Sequence, residues 1–232
     1  MNRALFAAAS GMAAQQKNLD TIADNLSNAG VVGFKGSAQR FAELVAPGER
    51  GLGTVILGPR VIFAQGKLAR SAGPFDLAID GPGFFACVDA AGRRCYTRDG
   101  EFSRAADGTL RNARDARLEG LRIPPDALKA MVAEDGRVTA TFANGTRAIG
   151  RIRVTEFAAP EKLRAIDGSL FEATAESGRG REIAPGALNG PKLRFGMLEE
   201  SNVTIIDAMM QILTAQRAYE ANAKGVQAAD EM

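Results

Sequence analysis

Apolar positions follow a helical spacing at both ends of the chain and a strand-like spacing in the middle. Near the N-terminus, apolar and small polar residues recur at alternating steps of three and four. Such a repeat is typical of a helix that packs lengthwise on another helix. It predicts a first helix from about Arg3 to Leu26 or Asn28, with Gly30 as a left-handed cap. The packed face would contain Leu5, Ala8, Met12, Gln15, Leu19, Ile22 and Leu26.

The same spacing returns between residues 205 and 226. Its predicted packed face contains Ile205, Met209, Ile212, Gln216, Tyr219, Ala223 and Val226. Ser201 or Asn202 is expected to cap the first turn of this second helix. Because both ends carry the same pattern, we expect the two helices to pair.

From residue 54 the pattern changes to the two-residue alternation of strands, with Gly58-Pro59 expected as a break. Six turn pairs punctuate the middle of the chain: Asp80-Gly81, Asp99-Gly100, Asp107-Gly108, Asp135-Gly136, Asn144-Gly145 and Asp167-Gly168. Such signals favour antiparallel strands joined by tight turns. The prediction is an α+β fold, in which terminal helices pair as a coiled-coil-like inner domain and the middle is β-rich and sandwich- or barrel-like.

This pattern divides the chain into four segments. Residues 1–36 form the N-terminal helix of the inner domain, and residues 37–70 are a connecting region that contains a short amphipathic piece. Residues 71–190 form the β-rich outer domain. Residues 191–232 provide a return strand and the C-terminal helix.

The first helix carries few charges. Residues 1–28 include only Arg3, Lys17, Asp20 and Asp24 as charged side chains. A helix with one face in water usually shows a charged stripe on that face. We therefore expect neighbours on several sides of this helix, and we expect both termini to become ordered only against other copies or partner chains.

Composition argues against several classes of protein. The chain has no histidine, which removes the commonest general base and metal ligand, so we predict a non-enzymatic protein without cofactor or metal. A net charge of +2 with interspersed acids does not favour nucleic-acid binding. No run of eighteen apolar residues is present, which argues against membrane insertion, and the N-terminal apolar patch lacks a clear cleavage site.

Cys87 and Cys95 lie on either side of the segment VDAAGRR. A hairpin that pairs Asp89 with Arg93 would place the two cysteines directly opposite each other. A cross-strand disulfide could then form in an oxidising compartment. The alternative, two small buried apolar side chains, is the interpretation we favour.

Two other functions deserve a test. A glycan-acting enzyme could use a carboxylate pair drawn from Asp76, Asp80, Asp99 and Glu101, although no spacing selects a pair. A membrane-surface protein could use its amphipathic ends, but the low Lys and Arg content of both helices argues against this.

Three blocks of sequence resemble the bacterial flagellar basal-body rod protein family. The first contains Ser10-Gly11-Met12, Gln15-Gln16, Leu19-Asp20, Ile22-Ala23, Asn25-Leu26, Asn28 and Gly33-Phe34-Lys35. The second contains Gln65-Gly66, residues 75–81, Gly83-Phe84-Phe85, Tyr96-Thr97-Arg98, Gly100 and Phe102. The third contains Gly196, Leu198-Glu199, Ser201-Asn202-Val203 and residues 216–222. Distal rod proteins are most similar, followed by proximal rod proteins and other axial proteins such as the hook protein.

The resemblance implies a structural subunit of the flagellar rod. In that family the terminal helices form the inner tube of a helical polymer, a drive shaft that transmits torque from motor to hook. Expected partners are other copies, neighbouring rod and hook proteins, and the flagellar type III export apparatus, which passes the chain without a cleaved signal. The expected location is the periplasm-spanning rod of the basal body.

The predicted subunit-interface residues combine both helical faces with polar positions that could fix register. They are Leu5, Met12, Gln15, Leu19, Ile22, Asn25, Leu26, Asn28, Asn202, Ile205, Met209, Ile212, Gln216, Tyr219 and Val226. Asn25, Asn28, Asn202 and Gln216 are the candidates for inter-helix hydrogen bonds. A plain helix cap is an equal alternative for Asn202.

Overall fold

A computed structural model describes residues 3–44, 53–187 and 190–230 of the chain. These residues separate into two compact units. The first contains the described parts of Met1–Ala29, Lys35–Ile62 and Val203–Met232, and the second contains Gly30–Phe34 and Phe63–Asn202. Helices at both ends and antiparallel strands between them make this an α+β fold.

Two helices, α1 (Arg3–Ser27) and α2 (Ile205–Asp230), flank the strands. The strands are β1 (Ser37–Glu43), β2 (Thr54–Val61), β3 (Leu68–Arg70), β4 (Leu77–Asp80), β5 (Phe84–Val88), β6 (Arg94–Thr97), β7 (Ser103–Arg104), β8 (Thr109–Arg111), β9 (Arg117–Arg122), β10 (Lys129–Val132), β11 (Arg137–Phe142), β12 (Gly145–Arg151), β13 (Val154–Glu156), β14 (Arg164–Asp167), β15 (Leu170–Glu172), β16 (Arg181–Ile183), β17 (Lys192–Phe195) and β18 (Met197–Glu199). One 3-10 turn covers Pro160–Lys162.

In the first unit, α1 packs against α2 and against the antiparallel hairpin β1–β2. The ends of both helices differ from the sequence-based expectation. Gly30 does not adopt a left-handed conformation, and Gly33 does, with φ of 65°. Thr204 caps α2, because its hydroxyl accepts from the Asp207 amide at 3.1 Å. The predicted caps Ser201 and Asn202 precede this position.

The hairpin β1–β2 occupies most of the predicted connecting region. The amphipathic piece around Phe41 is strand β1, and β2 runs through Gly58-Pro59 without a break. Pro59 lies opposite Gln39, and the register shifts by one residue between Arg40 and Phe41. A bulge at this point lets a strand contain Gly and Pro without losing its partner.

The second unit is built around β5. This strand pairs with β6 on one side, and with β13 and then β9 on the other. The sheet continues in the order β14-β15-β6-β5-β9-β8-β7, while β13 also pairs with β16. The strands β10-β11-β12 form a second sheet. In addition, β4 pairs with β17, and β3 pairs with β18. The core includes Phe85, Leu118, Val138 and Phe171, each at most 2% exposed.

Four of the six predicted turn pairs join strands that pair with each other. They are Asp107-Gly108, Asp135-Gly136, Asn144-Gly145 and Asp167-Gly168. Asp80-Gly81 instead joins β4 to β5, which pair with other strands. Asp99-Gly100 marks a close approach, since a Cβ on Gly100 would lie 1.6 Å from the Leu77 carbonyl oxygen. Within the described residues, neither helix is long and apolar enough to cross a membrane.

Candidate subunit interface

Small side chains of α2 lie at the buried centre of its contact with α1, and the larger Leu19, Leu26 and Ile212 pack around them. Ile22 of α1 packs with Ala208 and Ala215 of α2, and all three are at most 4% exposed. Closer to the chain ends, a Cβ on Gly11 would lie 2.9 Å from Asn222 Oδ1. Glycine and alanine at these positions let the two helices approach closely.

The face of α2 that meets α1 differs from the predicted face. The two faces share Ile212, which packs against the Ile22 cluster, and Tyr219, Ala223 and Val226 of the predicted face are half-buried. The other contact positions are Ala208, Ala215 and Asn222, whereas Ile205, Met209 and Gln216 of the predicted face are exposed. The buried Ala208 and Ala215 each directly precede a residue of the predicted face, Met209 and Gln216, so the packed face is shifted by one residue toward small side chains. On α1, Ile22 is buried, and the other predicted face positions are half-buried: Leu5, Ala8, Met12, Gln15, Leu19 and Leu26.

An apolar stripe covers the first turns of α2. It consists of Ile205, Ile206, Met209, Met210 and Leu213, each of which is more than half exposed. Large apolar side chains are costly to leave in water, at about 1.5–3 kcal/mol each relative to burial. An exposed contiguous patch of this kind is typical of contact surfaces.

A groove of about 500 Å³ lies beside the apolar stripe. Residues of both helices form its walls, with Ala38 of β1 at one side. The walls are Gln15, Asn18, Ile22, Met210, Gln211, Thr214, Ala215 and Ala218. The groove is open and mixes apolar with amide side chains.

The predicted polar register residues are engaged within the chain. Asn25 Nδ2 donates to the Ser37 carbonyl at 2.7 Å, and the Ser37 amide donates to Asn25 Oδ1 at 2.9 Å. Asn28 donates to the Asp24 carbonyl, and Asn202 donates to the Ala64 carbonyl. None of these bonds joins one helix to the other, and the part of the three asparagines in a contact with another copy stays a prediction. Thr204, not Asn202, caps α2. Gln216 is exposed.

The hairpin β1–β2 covers a second face of α1. Besides Asn25 and Ser37, Gln39 Nε2 donates to Thr21 Oγ1 at 2.8 Å. The Thr54 amide donates to Ser10 Oγ at 3.0 Å. These contacts explain part of the low charge of α1, because polar uncharged residues face a strand of the same chain.

Three of the four carboxylates of the enzyme alternative have structural partners, and the fourth, Glu101, is exposed. Asp76 accepts from Ser71 and from the Gly73 amide, and Asp80 pairs with Arg194 at 2.9 Å. Asp99 accepts from Asn112 at 3.1 Å and from the Glu101 amide, and burial raises the pKa of Asp99 to about 6. Among the described residues, no group of three or more His, Cys, Asp or Glu side chains could hold a metal ion.

A cleft of about 600 Å³ in the second unit lies beside Ala86 of β5, between the stretch of β5 that pairs with β13 and the stretch that pairs with β9. Arg94 bridges Glu119 and Glu182 across it, at 2.7 and 2.6 Å. The hydrogen bond from Arg94 lowers the pKa of Glu182. The cleft is lined by acidic and basic side chains that form ion pairs. The four carboxylates of the enzyme alternative do not line it.

Comparison with known proteins identifies the family. Residues 5–35 match the family described as flagella basal body rod protein, residues 78–140 the flagellar hook protein FlgE/F/G D1 domain, and residues 195–232 the flagellar basal body rod FlgEFG protein C-terminal region. The flagellar basal-body rod protein FlgG of Borreliella burgdorferi is 37% identical, covering 100% of this chain and 96% of that protein. The chain belongs to the flagellar basal-body rod protein family.

Other members of the rod family also match over nearly their whole length. FlgG of Agrobacterium fabrum is 33% identical over 99% of this chain and 96% of its own. The rod protein FlgF of Caulobacter vibrioides is 31% identical over 97% of this chain and 92% of its own. The similarity therefore extends over both units.

Residues from the three matched segments of this rod-family chain meet at one point in the second unit. The Gly33 amide donates to the Glu199 carbonyl at 2.7 Å, and Glu199 forms a buried ion pair with Arg98. A Cβ on Gly33 would lie 2.4 Å from the Asp99 amide nitrogen. These residues belong to the motifs of the sequence, but their proximity could not be predicted from it because that proximity depends on the tertiary fold.

The hairpin register predicted for the cysteines is confirmed. The Asp89 amide donates to the Arg93 carbonyl at 2.9 Å, and Cys87 lies opposite Cys95 in the β5–β6 ladder. Both are fully buried free thiols.

Proposed function

We propose that this chain is a structural subunit of the flagellar rod whose copies join through their helical units into a tubular polymer that transmits torque from motor to hook. Family membership supports the rod assignment, and the relatives bear the name of rod proteins. The terminal helices, paired in a coiled-coil-like manner, would line the polymer, and the β-rich unit would face outward. No chemistry is required of such a subunit.

The observation that carries this proposal is the apolar stripe of α2. Its five large side chains remain exposed although α1 covers another face of α2 and the hairpin β1–β2 covers a face of α1. The groove lies beside the stripe and shares Met210 with it. Where the stripe of one copy meets a different surface of the next copy, the contact is heterologous, and repeated without closure it generates a helical filament.

The remaining predicted partners follow from the same assignment. Neighbouring rod proteins and the hook protein would contact the two ends of the polymer, and the flagellar export apparatus would deliver the chain without a cleaved signal. Relatives named FlgG support a distal position in the rod. A relative named FlgF makes the proximal position the second candidate.

The test substitutes an exposed stripe residue. Met210→Glu places a charge at a side chain that is 61% exposed, so the fold of the single chain should not change. Ile212 is a less suitable position, because it packs against the Ile22 cluster within the chain. We expect Met210→Glu to keep its circular dichroism spectrum but to fail to pellet as polymer and to restore no motility in a strain that lacks the native gene.

The matched control is Ala228→Glu. This position is exposed on the same side of α2 and lies beyond the apolar stripe, so it adds the same charge. Assembly should be retained. Normal assembly of Met210→Glu would exclude the stripe as the contact surface.

A further inference from the structure

The geometry of Cys87 and Cys95 suits a covalent bond between the two side chains. The two residues are directly opposite in adjacent antiparallel strands, so their side chains lie on the same face of the sheet. Directly opposite residues have Cα atoms about 4.5–5.5 Å apart, and a disulfide spans about 4.4–6.8 Å. The fold therefore holds two free thiols at the separation that a disulfide requires.

We propose that Cys87 and Cys95 close an intramolecular disulfide when the chain folds in the presence of a disulfide oxidant. One thiolate attacks the oxidant and forms a mixed disulfide, releasing one reduced thiol. The second cysteine thiolate then attacks the protein sulfur of that mixed disulfide and releases the other. The protein loses two electrons and two protons, and one oxidant disulfide becomes two thiols.

The burial of both thiols determines when the disulfide can form. Both thiols are fully buried, and burial raises the pKa of Cys87 well above its usual range and that of Cys95 to about 11. A buried protonated thiol is a poor nucleophile. The bond must therefore close before the core forms, while the two cysteines are separated only by the short loop 88–94.

The bond would lie at the centre of the second unit. Cys87 also pairs with Leu118 of β9, and β5 pairs with β13. Joining β5 to β6 therefore restrains the strand around which the largest sheet is arranged. A closed loop of this length lowers the entropy of the unfolded chain and stabilises the folded one.

The test uses the full chain. Reduced, urea-unfolded protein is refolded in a mixture of oxidised and reduced glutathione, and already folded reduced protein is held in the same mixture for the same time. After denaturation, intact mass and maleimide labelling count the thiols. We expect the refolded sample to lose both thiols and two hydrogens of mass with no glutathione attached, and the folded sample to keep both thiols.

Thermal unfolding adds a second measurement. The bridged protein should melt about 5–10 °C above the reduced protein, and dithiothreitol should abolish the difference. Cys87→Ser and Cys95→Ser, refolded in the same way, should retain one thiol or one glutathione. The proposal is overturned if the refolded wild type keeps two thiols, carries glutathione on both cysteines, or melts below the reduced protein once bridged.

Discussion

Arg98 and Glu199 are separated by 101 residues along the chain, and Arg98 Nη1 lies 3.1 Å from Glu199 Oε2. Their side chains are 5% and 0% exposed. Arg98 also donates to the Gly81 carbonyl at 2.7 Å, and the Gly66 amide donates to Glu199 Oε1 at 2.8 Å. The pair therefore fixes β18 against the end of β6 with its charges compensated.

Removing one partner of this pair should be costly. Glu199→Ala leaves the Arg98 guanidinium buried without its counter-charge, and burial already lowers the pKa of Arg98. We expect a loss of about 3–5 kcal/mol in the free energy of unfolding, measured by urea titration with far-ultraviolet circular dichroism. Glu182→Ala breaks exposed ion pairs and should change stability little. Equal urea midpoints for Glu199→Ala and wild type would refute this role.

Two glycines three residues apart should respond differently to the same substitution. Gly33 has a left-handed φ of 65°, and a Cβ there would meet the Asp99 backbone. Gly30 has no such conformation, and a Cβ there meets nothing within 4 Å. Gly33→Ala should destabilise the protein by at least about 1 kcal/mol, while Gly30→Ala should be neutral or slightly stabilising. Thermal unfolding of both variants tests this difference in stability. Similar melting temperatures for the two variants would contradict it.

Asp99 should make stability depend on pH. Burial raises the pKa of Asp99 from 3.8 to about 6, so between these pH values the folded chain binds more protons than the unfolded chain. The contribution of Asp99 is fully present below pH 3.8 and is lost as the pH rises through about 6. Between pH 4 and 7, wild type should lose about 2–3 kcal/mol relative to Asp99→Asn. The measurement is the free energy of unfolding of wild type and of Asp99→Asn at each pH. If the two proteins showed the same dependence on pH, the proposed contribution of Asp99 would be ruled out.

The two units should differ in local stability. Among the described residues, the cluster between α1 and α2 has three buried side chains, and both of those on α2 are alanines. The second unit has an extended core of large side chains. In dilute monomer, we expect hydrogen exchange to be fast in both helices and slow around Phe85 and Val154. Polymer assembly should then slow exchange in the helices. Full protection of α1 and α2 in the isolated monomer would contradict the prediction that the termini need neighbours.

The amino-acid sequence alone determined those features that depend on neighbouring residues. The spacing of apolar positions indicated both terminal helices, and turn pairs such as Asn144-Gly145 indicated hairpins. The register that places Cys87 opposite Cys95 followed from the length of the turn between them. Each of these features is fixed by local backbone preference over a few residues.

The tertiary structure decided which surfaces meet. Ala208 and Ala215 face α1 instead of Ile205 and Met209, because close packing of two helices selects small side chains that a search for large apolar residues passes over. The partner of Arg98 and the conformation of Gly33 likewise depend on chain segments far apart in sequence. Local periodicity determines which elements form, but only their packing determines which side chains are covered and which remain exposed for another molecule.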